Sequence, residues 1–239
     1  MKVLITSGGT KIPIDRVRDI TNMSTGTFGS KIATEVLNLG HNVVFYRAKN
    51  SKSPMSVNVD IYKKNVGPTE YSEWLINVHK NMSRYMEYEY STFDQYSEGL
   101  KFIIGVEQPD IIVLAAAVSD YGIENYFSGK MRSNDLFTIK LKQLPKLINR
   151  VKEWAPNAKL VGFKLLVDSK LHDLLAAAKR SVDENACDMV VANDLDDIKN
   201  NNHRVHLVFK NKTISYEASK DETNPNYLAN VVANSIVNL

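Results

Sequence analysis

The chain has 239 residues, 44% of them hydrophobic, enough for one sizeable α/β domain. Its 30 Lys and Arg against 27 Asp and Glu leave a formal net charge of +3, spread along the chain. That argues against a nucleic-acid groove while allowing a locally bound phosphorylated small molecule. A single cysteine, Cys187, excludes an internal disulfide and suits a reducing cytoplasm; no run approaches the roughly 18 apolar residues of a spanning helix, so no membrane role is expected.

In chain order, the first predicted element is a strand over 2–6, Lys-Val-Leu-Ile-Thr, which opens the chain in place of a signal peptide and runs straight into Ser7-Gly8-Gly9-Thr10. Asn22-Met23-Ser24-Thr25-Gly26 follows. An apolar strand ending in paired glycines, then a hydroxyl- and glycine-rich segment opening a helix, presents bare backbone N–H groups to an anion, so the expected ligand carries phosphate. The spacing is neither Gly-x-Gly-x-x-Gly nor Gly-x-x-x-x-Gly-Lys-[Ser/Thr]. A helix is predicted over 26–39, with Phe28, Ile32, Val36 and Leu39 at helical spacing and Gly40 as its stop.

Further strands are predicted over 42–46, 57–62, 110–116, 159–163 and 188–192. Several are apolar on consecutive positions, as parallel strands covered on both faces must be. The polar, tyrosine-rich stretch 69–107 reads as two helices, 70–86 and 92–106, with its tyrosines as packing residues. Segments 204–210 and 213–216, joined through Asn211-Lys212, predict an antiparallel hairpin, and 227–239 a closing helix. The expected architecture is a doubly wound, mostly parallel, Rossmann-like α/β sheet with helices on both faces and a C-terminal β-hairpin extension. No repeat or linker divides the chain, so a single domain over 1–239 is expected.

Open α/β sheets bind ligands at the C-terminal ends of their strands. After the fourth core strand comes Ala115-Ala116-Ala117-Val118-Ser119-Asp120. The alanines are either tight packing or a floor for a substrate, with Asp120 facing it as a metal ligand or hydrogen-bond acceptor. In the loop 128–133, Lys130 is either an ordinary solvated lysine or a cation that swings onto a phosphate. Tyr126 and Lys130 also spell the Tyr-x-x-x-Lys of NAD(P)-dependent short-chain reductases, but Ser128-Gly129 breaks the helical face that pair needs. Phe163 is either core or a stacking surface for a nucleobase; Asn193 is placed to read a base edge or ribose. Cys187, beside the apolar run 189–192, reads as a buried filler. The five histidines show no metal-ligand spacing.

Taken together, Ser7-Gly8-Gly9-Thr10, Pro13 with Val17-Arg18, Asn22 to Gly26, Ala115 to Tyr121, Gly129-Lys130, Gly162-Phe163-Lys164 and Val191-Ala192-Asn193-Asp194 resemble the phosphopantothenoylcysteine synthetases. These are the phosphopantothenate–cysteine ligases of coenzyme A biosynthesis, and the likeness is to the monofunctional form, without a fused flavin-dependent decarboxylase. The resemblance implies a two-step ligation with Mg²⁺. The carboxylate of 4′-phosphopantothenate attacks the α-phosphate of CTP or ATP, releasing pyrophosphate, and the amine of cysteine then displaces the nucleoside monophosphate. It implies a nucleotide site at Gly8, Ser24, Gly26, Gly29, Phe163 and Asn193. It implies a phosphopantothenate side at Asn22, Ala116, Ala117 and Asp120, with Arg18 coming from the partner subunit of a homodimer, Asn22 and Lys130 as catalytic groups, and Asp120 as a metal ligand. Gly162-Phe163-Lys164-Leu165 is closer to eukaryotic members than to the bacterial Gly-Phe-Ala version, and Leu166-Val167 replaces an acidic residue and its neighbour, which leaves CTP and ATP both open. Two other readings compete: a short-chain reductase, and a nucleotide-binding module without turnover, which the presence of both Asn22 and Lys130 opposes.

Overall fold

The structure is a computed structural model and describes residues 1–55, 76, 79–132, 136–199, 204–218 and 224–239. In chain order these form β1 (Lys2–Ser7), a small hairpin of β2 (Lys11–Pro13) and β3 (Asp19–Thr21), α1 (Thr27–Asn38), β4 (Asn42–Ala48), β5 (Tyr85–Tyr90), α2 (Phe93–Glu107) and β6 (Ile111–Leu114). A second small hairpin follows, β7 (Tyr121–Ile123) with β8 (Leu141–Gln143), then α3 (Ile148–Trp154), β9 (Lys159–Leu166), α4 (Leu171–Glu184) and β10 (Met189–Asp194). The chain closes with α5 (Leu195–Lys199), β11 (Arg204–Val208), β12 (Thr213–Glu217) and α6 (Tyr227–Val237).

Among the described residues the main sheet has eight strands in the order β12-β11-β10-β9-β6-β1-β4-β5. The six from β10 to β5 are parallel, and β11 and β12 join antiparallel. Continuous apolar runs force this arrangement, because both faces of such strands need cover. Leu4 of β1 packs on one face with Leu100 and Ile103 of α2 and Ala178 of α4. Its neighbours Val3 and Ile5 pack on the other with Ile32 and Val36 of α1 and Val232 of α6. Each such fully buried Leu, Ile or Val side chain stabilises the fold by roughly 1.5–3 kcal/mol.

The chain leaves β1 through β4 to β5, then returns to β6 on the other side of β1 and continues through β9 to β10. This reversal places a topological switch point between the C-terminal ends of β1 and β6, the crevice where such sheets take ligands. Gly9 and Ala117 bridge the two chains there.

The expected sheet, the hairpin and the flanking helices are present. The 70–86 helix is corrected at its end: Tyr85 and Met86 belong to β5, preceded by a single 3-10 turn at Met82–Arg84, while 70–75 and 77–78, like the strand expected over 57–62, lie outside the described residues. The reason is the alternation in Tyr-Met-Glu-Tyr-Glu-Tyr. Tyr88 and Tyr90 face the core, while Glu87 and Glu89 pair with Arg47 of β4. Strand β6 stops at Leu114, short of the expected 116, and β9 runs past the expected 163 to Leu166.

The tyrosines of this region are packing residues. The rings of Tyr46, Tyr90 and Tyr96 lie 4.8–5.6 Å apart. Each hydroxyl is engaged, Tyr90 donating to the Ser7 carbonyl at 2.7 Å and Tyr46 to that of Gln95 at 2.6 Å. Burial pushes the Tyr96 hydroxyl up to about 12. Cys187 is likewise buried, its thiol pushed up to about 12 by desolvation, as a filler requires. Among the described residues no helix is long and apolar enough to cross a membrane.

Candidate active site

The end of β1 and the start of α1 approach closely because three positions carry no side chain. Gly8 has a φ of 85°, and a Cβ there would lie 2.6 Å from that of Ala48. Gly26, the N-cap of α1, also has positive φ, at 71°. A Cβ on Gly29 would sit 2.6 Å from Ser7 Oγ, the hydroxyl that donates to the Gly26 carbonyl at 3.1 Å. Helix α1 has neither a side-chain cap nor an acidic residue in its first turn, so its positive end is left for an anion. Lys31 lies one turn further on; desolvation, then the charge of Lys52, holds its ammonium below the usual lysine value. These lysines were not singled out in the sequence, since their approach depends on Lys52 folding back to donate its N–H to the Thr25 carbonyl at 3.0 Å.

Ser24, Asn22, Gly9, Lys49 and Ser51 line an adjoining open pocket of about 370 Å³. Arg47 holds the backbone of part of this lining, its Nη1 donating to the carbonyls of Ala48, Lys49 and Ser51 at 2.9–3.2 Å. Phe163 is half-buried and stands edge-on to Phe28 of α1, ring centroids 6.3 Å apart. Asn193 is 5% exposed, and its Nδ2 donates to the Arg204 carbonyl at 3.0 Å, tying β10 to the start of β11. Asp194 beside it accepts from the N–H and hydroxyl of Ser169 at 2.9 and 2.7 Å, which fixes the turn after β9.

Across the switch point, the Ala117 N–H donates to the Gly8 carbonyl at 2.8 Å, and the Thr10 N–H to the Ala117 carbonyl at 3.2 Å. Asn22 Nδ2 donates to that same Ala117 carbonyl at 3.0 Å. Thr6 and Thr10 accept from the N–H groups of Ala116 and Ser119 at 3.3 and 2.9 Å. The alanine segment is thus stitched to β1 by backbone and hydroxyl groups, with Asn22 held against it and exposed on its outer side. Asp120 is exposed, its carboxylate unpaired among the described residues. No group of three metal-ligating side chains occurs among them.

Arg18 and Lys130 lie on two loops that dock against each other. The Phe127 N–H donates to the Ile14 carbonyl at 3.2 Å, and that of Arg16 to the Gly129 carbonyl at 3.1 Å. Lys130 is exposed, and the segment from Tyr126 to Lys130 is not helical, which removes the geometry a reductase pair needs. The residue that sequence reasoning missed is Asp15, buried where the two loops meet. Its bonds to Val17 and Arg18 are local, but its link to the second loop is through Met131, 116 positions away, and no local pattern points to that contact.

A family model described as the DNA/pantothenate metabolism flavoprotein C-terminal domain matches residues 1–66 and 101–238. The coenzyme A biosynthesis bifunctional protein CoaBC of Thermococcus kodakarensis is 31% identical over 87% of this chain and 44% of its own length. The phosphopantothenate–cysteine ligase CAB2 of Saccharomyces cerevisiae is 30% identical over 80% of this chain and 64% of its own. The chain therefore spans less than two thirds of the length of these relatives. A solved Cab2 mutant in complex with phosphopantothenate-cysteine superposes with a TM-score of 0.79 at 25% identity, covering 99% of this chain and 85% of that one. The switch-point crevice between β1 and β6 lies within the matched segments, and the chain belongs to the DNA/pantothenate metabolism flavoprotein C-terminal domain family.

Proposed function

We propose that this chain is a phosphopantothenate–cysteine ligase of coenzyme A biosynthesis, acting in the cytoplasm. The observation that carries the reading is the meeting, at one switch point, of an uncapped helix N-terminus ringed by Gly8, Gly26 and Gly29 with Asn22 held on the alanine segment. The first can hold nucleotide phosphates; the second can hold an acyl group beside them. The names of the relatives and the ligand of the Cab2 structure support the same assignment.

In the first step a carboxylate oxygen of 4′-phosphopantothenate bonds to the α-phosphorus of CTP or ATP, and the bond to pyrophosphate breaks. Lys130, exposed on its loop, offsets the charge that develops, a contact typically worth about 3–4 kcal/mol. In the second step the cysteine amine attacks the acyl carbon and the nucleoside monophosphate leaves. Asn22 serves here by donating its amide to the acyl carbonyl in place of the Ala117 carbonyl. Arg18, from the partner subunit of a homodimer, neutralises the phosphate of phosphopantothenate. Asp120 fits as a lone protein ligand for Mg²⁺, an ion held by one or two carboxylates plus substrate phosphates. When bound, the ion neutralises phosphate charge.

Pyrophosphate release with CTP and ATP in parallel, leaving out one component at a time, tests the reading. Multiple turnovers are expected only with nucleotide, phosphopantothenate and cysteine together. Release without phosphopantothenate, or none with any combination, overturns it; nicotinamide oxidation with a carbonyl substrate would point to the reductase.

A further inference from the structure

Asp15, in the turn between β2 and β3, is 3% exposed, yet it lines none of the pockets described above. Its Oδ1 accepts from the Val17 N–H at 2.8 Å. Its Oδ2 accepts from the Met131 N–H at 3.1 Å and pairs with the Arg18 guanidinium. The bonds from Arg16 to Gly129 and from Phe127 to Ile14 flank this carboxylate. Lys130 therefore sits between a residue held by its carbonyl, Gly129, and one held by its N–H, Met131. Desolvation works against ionisation of Asp15. The N–H groups of Val17 and Met131 and then Arg18 outweigh it, holding the carboxyl below the usual aspartate range.

We propose that Asp15 is a positioning residue acting through two others: it fixes the backbone beside Lys130 and aims the guanidinium of Arg18. The inference rests on the ligase reading for the roles of those two cations. Its chemistry is specific to a carboxylate. Both oxygens receive donors, so an amide of the same shape must turn its NH₂ toward an N–H or a guanidinium. A loop displaced by even an ångström costs on the order of 10²-fold in rate when it carries a group that must meet a reacting phosphate.

The test is Asp15→Asn in the full chain, assayed by pyrophosphate release. The KM for phosphopantothenate should rise about tenfold or more and kcat fall about tenfold or more, while the nucleotide KM stays within about twofold. Loss of folded protein alone would lower kcat and leave both KM values unchanged, so that result overturns the proposal, as do wild-type constants. A second measurement needs neither activity nor a folded variant: in the wild-type protein, hydrogen exchange followed by NMR should show the Met131 amide protected about 100-fold more than that of Lys130. Equal exchange at the two amides means the anchor does not exist in solution, and the proposal falls. A wild-type protein that protects Met131 but releases no pyrophosphate sinks the ligase reading and leaves the anchor standing.

Discussion

Lys130 and Gly29 mark opposite ends of what a single residue does here. Lys130 is exposed and its ammonium has no ion pair among the described residues, so its removal takes little from the fold. Lys130→Ala should lower pyrophosphate release about 10²-fold or more at an unchanged Tm; near-normal release would end its assignment. Gly29 does its work by what it lacks. A Cβ would lie 2.6 Å from Ser7 Oγ and 3.0 Å from its Cβ, so turning the hydroxyl away does not make room. Gly29→Ala should push α1 off β1, costing about 1–3 kcal/mol in urea denaturation and weakening nucleotide binding. Full stability would mean that α1 can shift freely. Gly8 and Gly26 were legible as glycines at a strand end and a helix start and Gly29 through the family resemblance, whereas Asp15 was not, its anchor Met131 lying 116 positions away in sequence. Asn193 was legible as a strand-end residue, but not its bond to Arg204, which exists only because the β11–β12 hairpin returns beside β10.

At the scale of elements, length and apolar continuity identified β1, β4 and β10, whereas β5 was hidden by its aromatic and acidic side chains. The cue was its two-residue alternation, outweighed by the polar composition around it. The starts of the interior strands β9 and β10 are held by charge. Asp188, just before β10, accepts from the Leu160 N–H at 2.9 Å and pairs with Lys152 and Lys159 at 3.2 and 3.0 Å. Burial would raise its pKa; the Leu160 bond and the two lysines outweigh it and hold the carboxyl below the ordinary 3.8. A carboxyl depressed in the folded state stabilises above its unfolded value and loses that contribution as pH falls through its folded value. The stability difference between wild type and Asp188→Asn, read from urea midpoints, should therefore be largest near neutrality and shrink on acidification from about pH 4 downward. A gap independent of pH would mean the charge of Asp188 plays no part.

For the whole molecule, the doubly wound class was legible from strand types, and with it the C-terminal ends of the strands as the binding edge; the strand order that sets the switch point between β1 and β6 was not. The small hairpins that carry Arg18 and follow Asp120 were not, since three-residue strands leave no periodic trace. If Arg18 serves the partner's site, Arg18→Ala and Asn22→Ala homodimers should each be nearly inactive. Unfolding and reassembling an equal mixture should then restore roughly a quarter of wild-type sites, because half the dimers gain one intact site. No recovery, with subunit exchange confirmed, would place Arg18 in its own subunit's site. The central claim is that a carboxylate oxygen of the pantothenate substrate bonds to the α-phosphorus of the nucleotide. Phosphopantothenate labelled with ¹⁸O in its carboxylate tests this most directly, with the products read by mass spectrometry after complete turnover. The account predicts one labelled oxygen in the nucleoside monophosphate and none in pyrophosphate; label in the pyrophosphate, or an unlabelled monophosphate, would contradict it.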